Sequence, residues 1–194
     1  MNNNKIENIK ILFGGAFNPP TYSHFLIGDK FVNKYHASIY YLPTSSIYNK
    51  NVEIIDYEHR YKMLELVVNK IGDGAYISEF ERNQEVYLGT YQTLKHFADY
   101  YFLIGYDQFA NLPNWLNFPK LVSECKFIVI PREGYNIKEA LNNSLIKENI
   151  NNFIFVEDDF GDDSSTEFRL THNKDLLIDE VYEYIKKNKL YEVK

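Results

Sequence analysis

Two short stretches carry residue types suited to holding phosphate. The first, Gly14-Gly15-Ala16-Phe17-Asn18-Pro19-Pro20-Thr21-Tyr22-Ser23-His24, follows an apolar run. Its glycines let the backbone pass close to a ligand, and a helix starting near its end aims free amides and a positive dipole end at an anion. Thr21 and His24 are spaced to reach the same side of that helix entrance. His24 can donate to a phosphate oxygen and becomes cationic where a phosphate raises its pKa. A plain strand-to-helix turn with a surface histidine has the same local pattern, so the loop alone leaves both readings open. The second stretch, Ser164-Ser165-Thr166-Glu167-Phe168-Arg169, sets hydroxyls at a helix start and an arginine further along. Arg169 can fork onto two phosphate oxygens, although ordinary capping hydroxyls with a surface arginine look alike. Asp158, Asp159, Asp162 and Asp163 precede it. They suit either Mg²⁺ or a solvated loop, and no metal ligand is assigned. No Walker A pattern occurs, and neither Gly14-Gly15 nor Gly72 with Gly74 completes a GxGxxG, which disfavours P-loop kinases and dehydrogenases.

The elements needed to position these stretches can be read from apolar runs and their breakers. Strands are predicted at residues 9–13, 38–42, 75–80, 101–104, 126–130 and 153–156. Helices are predicted at 24–35, 57–69, 90–99, 138–149 and 175–189, the last capped by Asp175. This alternation predicts an α/β fold, a Rossmann-like open parallel sheet with helices on both faces and a small C-terminal helical part. Residues 1–194 read as a single domain, with about 157–194 as a C-terminal helical subdomain. The 45% apolar content supports a sizeable core, and the net charge of −6 disfavours a broad basic face for nucleic acid. A lone Cys125, a polar amino terminus and the lack of a long apolar run point to a soluble cytoplasmic protein with no membrane partner. Cys125 reads as a small core residue, and His36, His59, His96 and His172 as structural or solvent-exposed. The 17 Tyr and 14 Phe reflect compositional drift more than function.

The first loop resembles the (H/T)xGH-type signature of the nucleotidyltransferase superfamily, and residues 164–169 resemble its SSTxxR motif. Further segments are similar to those of the nicotinate (or nicotinamide) mononucleotide adenylyltransferases. They are Arg60 to Leu64 for RxxML, Glu79 to Arg82 for ExxR, and Thr90 to Leu94 for TxxTL. Ile104 to Asp107 then resembles IGxD, followed by Trp115, the VxPR-like segment ending at Arg132, and the closing Tyr184-Ile185 and Leu190-Tyr191. Three positions depart from the pattern. Ser23 stands where the family has Gly, Thr21 where many members have His, and only Lys50 agrees within Ile47-Tyr48-Asn49-Lys50.

The resemblance implies attack by the 5′-phosphate of a pyridine mononucleotide on the α-phosphorus of ATP, with Mg²⁺ carried on the ATP oxygens. It implies catalytic roles for His24, Thr21 and Arg169. ATP or phosphate contacts are implied for Gly14, Gly15, Ala16, Phe17, Lys50, Gly105, Asp107, Arg132, Ser164 and Ser165. Gly105 and Asp107 suit a helix cap equally well, and Arg132 a surface salt bridge. Thr90 and Trp115 would meet the pyridine nucleotide, or start a helix and anchor a loop respectively. Cations are accordingly expected around His24, Lys50, Arg132 and Arg169 at one end of the sheet. A nicotinate substrate is favoured over nicotinamide without being decided, and a homo-oligomer is left open. Two alternatives stand beside this reading: another nucleotidyltransferase of the phosphopantetheine adenylyltransferase or cytidylyltransferase kind, and a catalytically inactive nucleotide sensor.

Overall fold

A computed structural model describes residues 6–45, 54–82, 84, 86 and 88–193. Its strands are β1 Lys10–Gly15, β2 Ser38–Pro43, β3 Ala75–Ile77, β4 Tyr100–Gly105, β5 Lys126–Ile130 and β6 Phe153–Phe155, and every neighbouring pair is parallel. They lie in the order β3-β2-β1-β4-β5-β6. In that doubly wound arrangement the chain moves outward from β1 to one edge and from β4 to the other, leaving a crevice between them. The strands are apolar on both faces because both are covered. Ile11, Tyr41, Leu103 and Ile128 turn into one buried cluster, and Leu12, Leu42, Phe102 and Phe127 into the other. The expected Rossmann-like parallel sheet with helices on both faces is the observed architecture.

The helices are α1 Tyr22–Asp29, α2 Tyr57–Ile71, α3 Thr90–His96, α4 Tyr106–Asn111, α5 Phe118–Glu124, α6 Lys138–Leu141, α7 Ser144–Glu148, α8 Ser165–Thr171 and α9 Asp179–Lys187. In α2 the buried Arg60, Met63, Leu64, Val67 and Ile71 recur at helical spacing, and Gly72, at φ 92°, ends the helix. Leu176, Leu177, Ile178, Val181 and Ile185, from the carboxyl-terminal stretch, share the buried cluster of Phe31, Met63 and Leu64. None of the described helices is long and apolar enough to cross a membrane.

Several boundaries differ from the sequence reading. The helix expected at 24–35 begins earlier and changes form at Lys30–Lys34, a π-helical turn in which the Tyr35 amide reaches the Lys30 carbonyl at 3.1 Å. That wider turn brings Phe31 and Val32 inward while Phe25 and Leu26 remain half-buried. The third strand stops at Ile77 because its last ladder contact is Ser78 N–H to the Tyr41 carbonyl, after which Glu79–Arg82 turns. The helix expected at 90–99 ends at His96. Instead of one helix at 138–149 there are two, since the Asn143 side chain accepts from Leu145 N (3.0 Å) and starts a new helix. Asp175 does not cap the last helix. It lies in a 3-10 turn capped by Asn173, and α9 begins at Asp179. Cys125 is half-buried, short of a core position. Helices α4 and α5 were not anticipated, being too short to show periodicity.

One buried cation ties the strand ends together. Arg60 is 0% exposed. Its Nη1 donates to the Ala16 carbonyl (2.9 Å), Nη2 to Thr44 (2.7 Å) and Nε to Ile55 (3.2 Å). The first acceptor lies in the loop after β1, the second just past β2, and the third ahead of α2. Removing the guanidinium would strand these acceptors, each costing about 1–3 kcal/mol when buried and unsatisfied. Arg60→Met is therefore expected to lower unfolding stability by about 3 kcal/mol or more. Urea melts should show a lower midpoint at unchanged slope, and an unshifted midpoint would contradict this role.

Candidate active site

A cavity of about 760 Å³ opens where the carboxyl ends of β1 and β4 diverge. Gly14, Gly15 and Ala16 form one wall, Thr90, Thr93 and Leu94 of α3 another, and Asp107, Gln108 and Asn111 of α4 a third. Trp115, Leu116 and Tyr135 stand at the same opening. The glycines are closely packed. A Cβ at Gly14 would meet the Phe102 ring at 3.1 Å, and one at Gly15 the Phe17 ring at 3.1 Å. Six of the residues anticipated from sequence thus meet around one space: Gly14, Gly15, Ala16, Thr90, Asp107 and Trp115.

Phe17 belongs beneath this wall. Its buried ring contacts Phe13, His24 and Tyr41 at centroid separations of 5.5, 5.1 and 5.6 Å, so only its backbone is available to a ligand. Gly105 donates its N–H to Gln108 Oε1 (3.2 Å) at the start of α4. Asp107 Oδ1 and Thr44 Oγ1 are buried and make no hydrogen bond among the described residues, and both residues line the cavity. Trp115 is half-buried, edge-on to Phe102 at 6.4 Å. Arg132 is exposed, with Nε 3.9 Å from Asp107 Oδ2.

The other anticipated residues gather on the far side of the same loop. Thr21 N–H donates to His24 Nδ1 at 2.9 Å, and Thr21 Oγ1 lies 2.6 Å from that nitrogen. An amide can only donate, so Nδ1 is the acceptor and the neutral ring carries its proton on Nε2. Burial between Phe13 and Phe17 lowers the His24 pKa to about 4, and the charge of Arg132 adds to the effect. The cation anticipated from sequence is therefore a neutral donor in the ligand-free chain. Thr21 is 1% exposed, and its hydroxyl also donates to the Asp163 carbonyl at 3.2 Å. Thr21 orients His24 and has no free hydroxyl to offer a substrate.

Arg169 donates to the Asn18 carbonyl (2.6 Å) and to Thr166 Oγ1 (3.1 Å). Ser165 Oγ donates to the Pro19 carbonyl (2.7 Å), while Ser164 Oγ caps α8 by accepting from Glu167 N (3.1 Å). The capping reading therefore holds for Ser164, while Ser165 and Arg169 tie α8 to the loop. The acidic run diverges: Asp158 meets Lys34 and Tyr35, Asp159 meets Gly161 N, Asp162 meets Glu133 N and Asp163 meets Ser23. Among the described residues no cluster of acids, histidines or cysteines is arranged for a metal ion. Lys50 lies outside the described residues.

Sequence reasoning missed three contributors. Arg60 sits under the loop as a full positive charge, but its motif position gave no hint of burial. Glu81 lines the cavity and accepts from Ser45 N (3.3 Å), with burial raising its pKa. Tyr191 reaches back to donate to Asn18 Oδ1 at 2.7 Å. The anticipated concentration of cations is only partly met, since the charged side chains on the described cavity wall are Glu81 and Asp107, both acids.

Residues 12–171 match the cytidylyltransferase-like family. A probable nicotinate-nucleotide adenylyltransferase of Acholeplasma laidlawii is 35% identical over 94% of this chain and 97% of its own length. One of the same description from Clostridium acetobutylicum is 34% identical over 94% and 98%. Among solved structures, Plasmodium falciparum nicotinic acid mononucleotide adenylyltransferase complexed with NaAD superposes with a TM-score of 0.78 at 22% identity, covering 97% of this chain and 99% of that one. The same enzyme complexed with APC gives 0.79 at 23% identity, with the same coverage.

The lowered pKa of His24 has a measurable consequence. Its folded value of about 4 lies below the unfolded 6.5, so folding favours the neutral ring. The associated stability is complete above pH 6.5 and is lost as pH falls through about 4. His24→Gln should therefore flatten the acid side of the stability profile relative to wild type. The His24 ring resonance should titrate near pH 4, and titration near the ordinary histidine value would contradict the neutral assignment.

Proposed function

The chain belongs to the cytidylyltransferase-like family and groups there with the nicotinate-nucleotide adenylyltransferases, and on that premise we propose that it joins ATP and nicotinate mononucleotide into the dinucleotide, releasing pyrophosphate. The observation that carries this reading is the position of the cavity. It lies outside the carboxyl ends of β1 and β4, at the reversal of strand order where doubly wound sheets take nucleotides. Its size suits a small-molecule site, and the buried Asp107 Oδ1 and Thr44 Oγ1 supply polar contacts.

The nucleophile is a phosphate already ionised at neutral pH, so no general base is needed. A mononucleotide phosphate oxygen bonds to the α-phosphorus of ATP. The bond from that phosphorus to the bridging oxygen breaks, and pyrophosphate leaves with the electron pair. The protein aligns two polyanions and stabilises charge as the bond breaks. The backbone of Gly14 to Phe17 lies along the phosphates, and His24 donates from Nε2 to the α-phosphate. Arg169, with the start of α8 at Ser164 and Ser165, receives the leaving pyrophosphate, and Lys50 and Arg132 add charge from the rim. Gly105 and Asp107 face the adenosine side, with Thr90 and Trp115 on the pyridine side. Thr21 acts through His24. Mg²⁺ enters as part of the substrate on the ATP oxygens.

Purified protein with ATP and Mg²⁺ should release pyrophosphate when given nicotinate mononucleotide, with nicotinamide mononucleotide as the comparison substrate. Tight nucleotide binding without pyrophosphate from either would favour the sensor reading. Losing one preorganised donor costs about 100- to 1,000-fold in turnover. His24→Ala should fall by about that factor while its melting temperature stays close to wild type. Near-normal turnover would remove His24 from the chemistry.

A further inference from the structure

The departure at Ser23 does not obstruct the loop, because the side chain is turned away to a partner 140 residues distant. Ser23 Oγ donates to Asp163 Oδ2 at 2.7 Å and accepts from Asp163 N–H at 2.8 Å. The Asp163 carbonyl accepts in turn from Thr21 Oγ1. One residue thus receives both side chains that flank the entrance to α1, and it immediately precedes Ser164 and Ser165. The neighbouring chain is shaped for this. Gly161 sits at φ +69°, and a Cβ there would lie 2.8 Å from Ser23 Oγ. Ser23 itself is buried at 6% exposure.

Beside these bonds to Asp163, Ser165 donates to the Pro19 carbonyl and Arg169 to the Asn18 carbonyl. Those donors are also the groups that would turn to a bound polyphosphate, so a ligand competes with the loop for them. The Ser23–Asp163 pair contains no group assigned to the ligand and can persist while Arg169 exchanges partners. We propose that Ser23 and Asp163 form a latch that fixes the separation of the two phosphate-binding arms, so that ligands with a diphosphate or triphosphate spanning both arms depend on it. Without the latch such a ligand must itself order the arms, at a cost to affinity. The mononucleotide, seated toward Thr90 and Trp115, does not. This inference rests on the assignment of the arms under the proposed function.

Calorimetry with inorganic pyrophosphate and with nicotinate mononucleotide tests it on the whole chain without needing turnover. Ser23→Ala and Asp163→Ala should each weaken pyrophosphate about tenfold and leave the mononucleotide within about twofold. The double variant should be no weaker than the worse single one, since both remove one interaction. Asp163→Asn keeps an acceptor for Ser23 Oγ and should bind pyrophosphate at least as well as wild type. Unchanged pyrophosphate affinity in Ser23→Ala overturns the latch, as does equal weakening of both ligands, which marks a general loss of structure. Ser23→Ala removes only a hydroxyl, so it decides the matter if Asp163→Ala does not fold. Wild-type protein that binds pyrophosphate yet transfers nothing overturns the transfer reading alone, and wild-type protein that does not bind it overturns both.

Discussion

The geometry of the site hangs on a charge that no ligand touches. Arg60 is sealed from water, and its guanidinium holds the Ala16, Thr44 and Ile55 carbonyls in one plane of donors. Burial lowers its pKa but does not threaten its charge, because arginine stays protonated in proteins. No carboxylate pairs with it among the described ion pairs. Carbonyl dipoles answer its charge at hydrogen-bond distance, and Glu81 adds a longer-range attraction. A lysine could not replace it, since one ammonium on a flexible stem lacks the planar fork that spans these acceptors.

Above that cation the loop from Gly14 to Pro20 is a shared wall. On one side it borders the cavity, where the polar atoms are hydroxyls, amides and acids. On the other it is braced by Ser165, Arg169 and Tyr191, with the His24 ring against Phe17. The division suits a polyanionic substrate bound by a protein of net charge −6. In the proposed reaction the backbone amides and the neutral imidazole N–H act as directed dipoles. Charged side chains on the described cavity wall are few, so in the proposed reaction little reorganisation is needed as charge moves toward the leaving group.

What could be read in the sequence follows the range of the interactions. The strands were legible because Ile11-Leu12 and Phe127 to Ile130 are apolar on both faces and end at Gly14 or Pro131, all of which is local. The cavity residues Gly14, Thr90, Asp107 and Trp115 were legible through the ordered motifs. Short helices such as Tyr106–Asn111 were not, since six residues cannot show a period. The supporting bonds were less accessible still. Ser23 with Asp163 and Arg60 with Ala16 join residues 140 and 44 apart, and nothing in either local pattern announces the partner. The neutral state of His24 likewise depends on Phe13 and Phe17 closing around it, a packing outcome.

The bond from Tyr191 to Asn18 joins positions 173 residues apart. Synthesis runs at about 5–20 residues per second, so the phosphate loop leaves the ribosome roughly 9–35 seconds before this brace exists. The sheet order adds to the delay, because β1 sits at the centre and needs β4 beside it before the crevice has a second wall. A nascent chain can therefore carry the loop sequence, and even β1 with β2, without a working site. The loop gains this brace only when residue 191 docks.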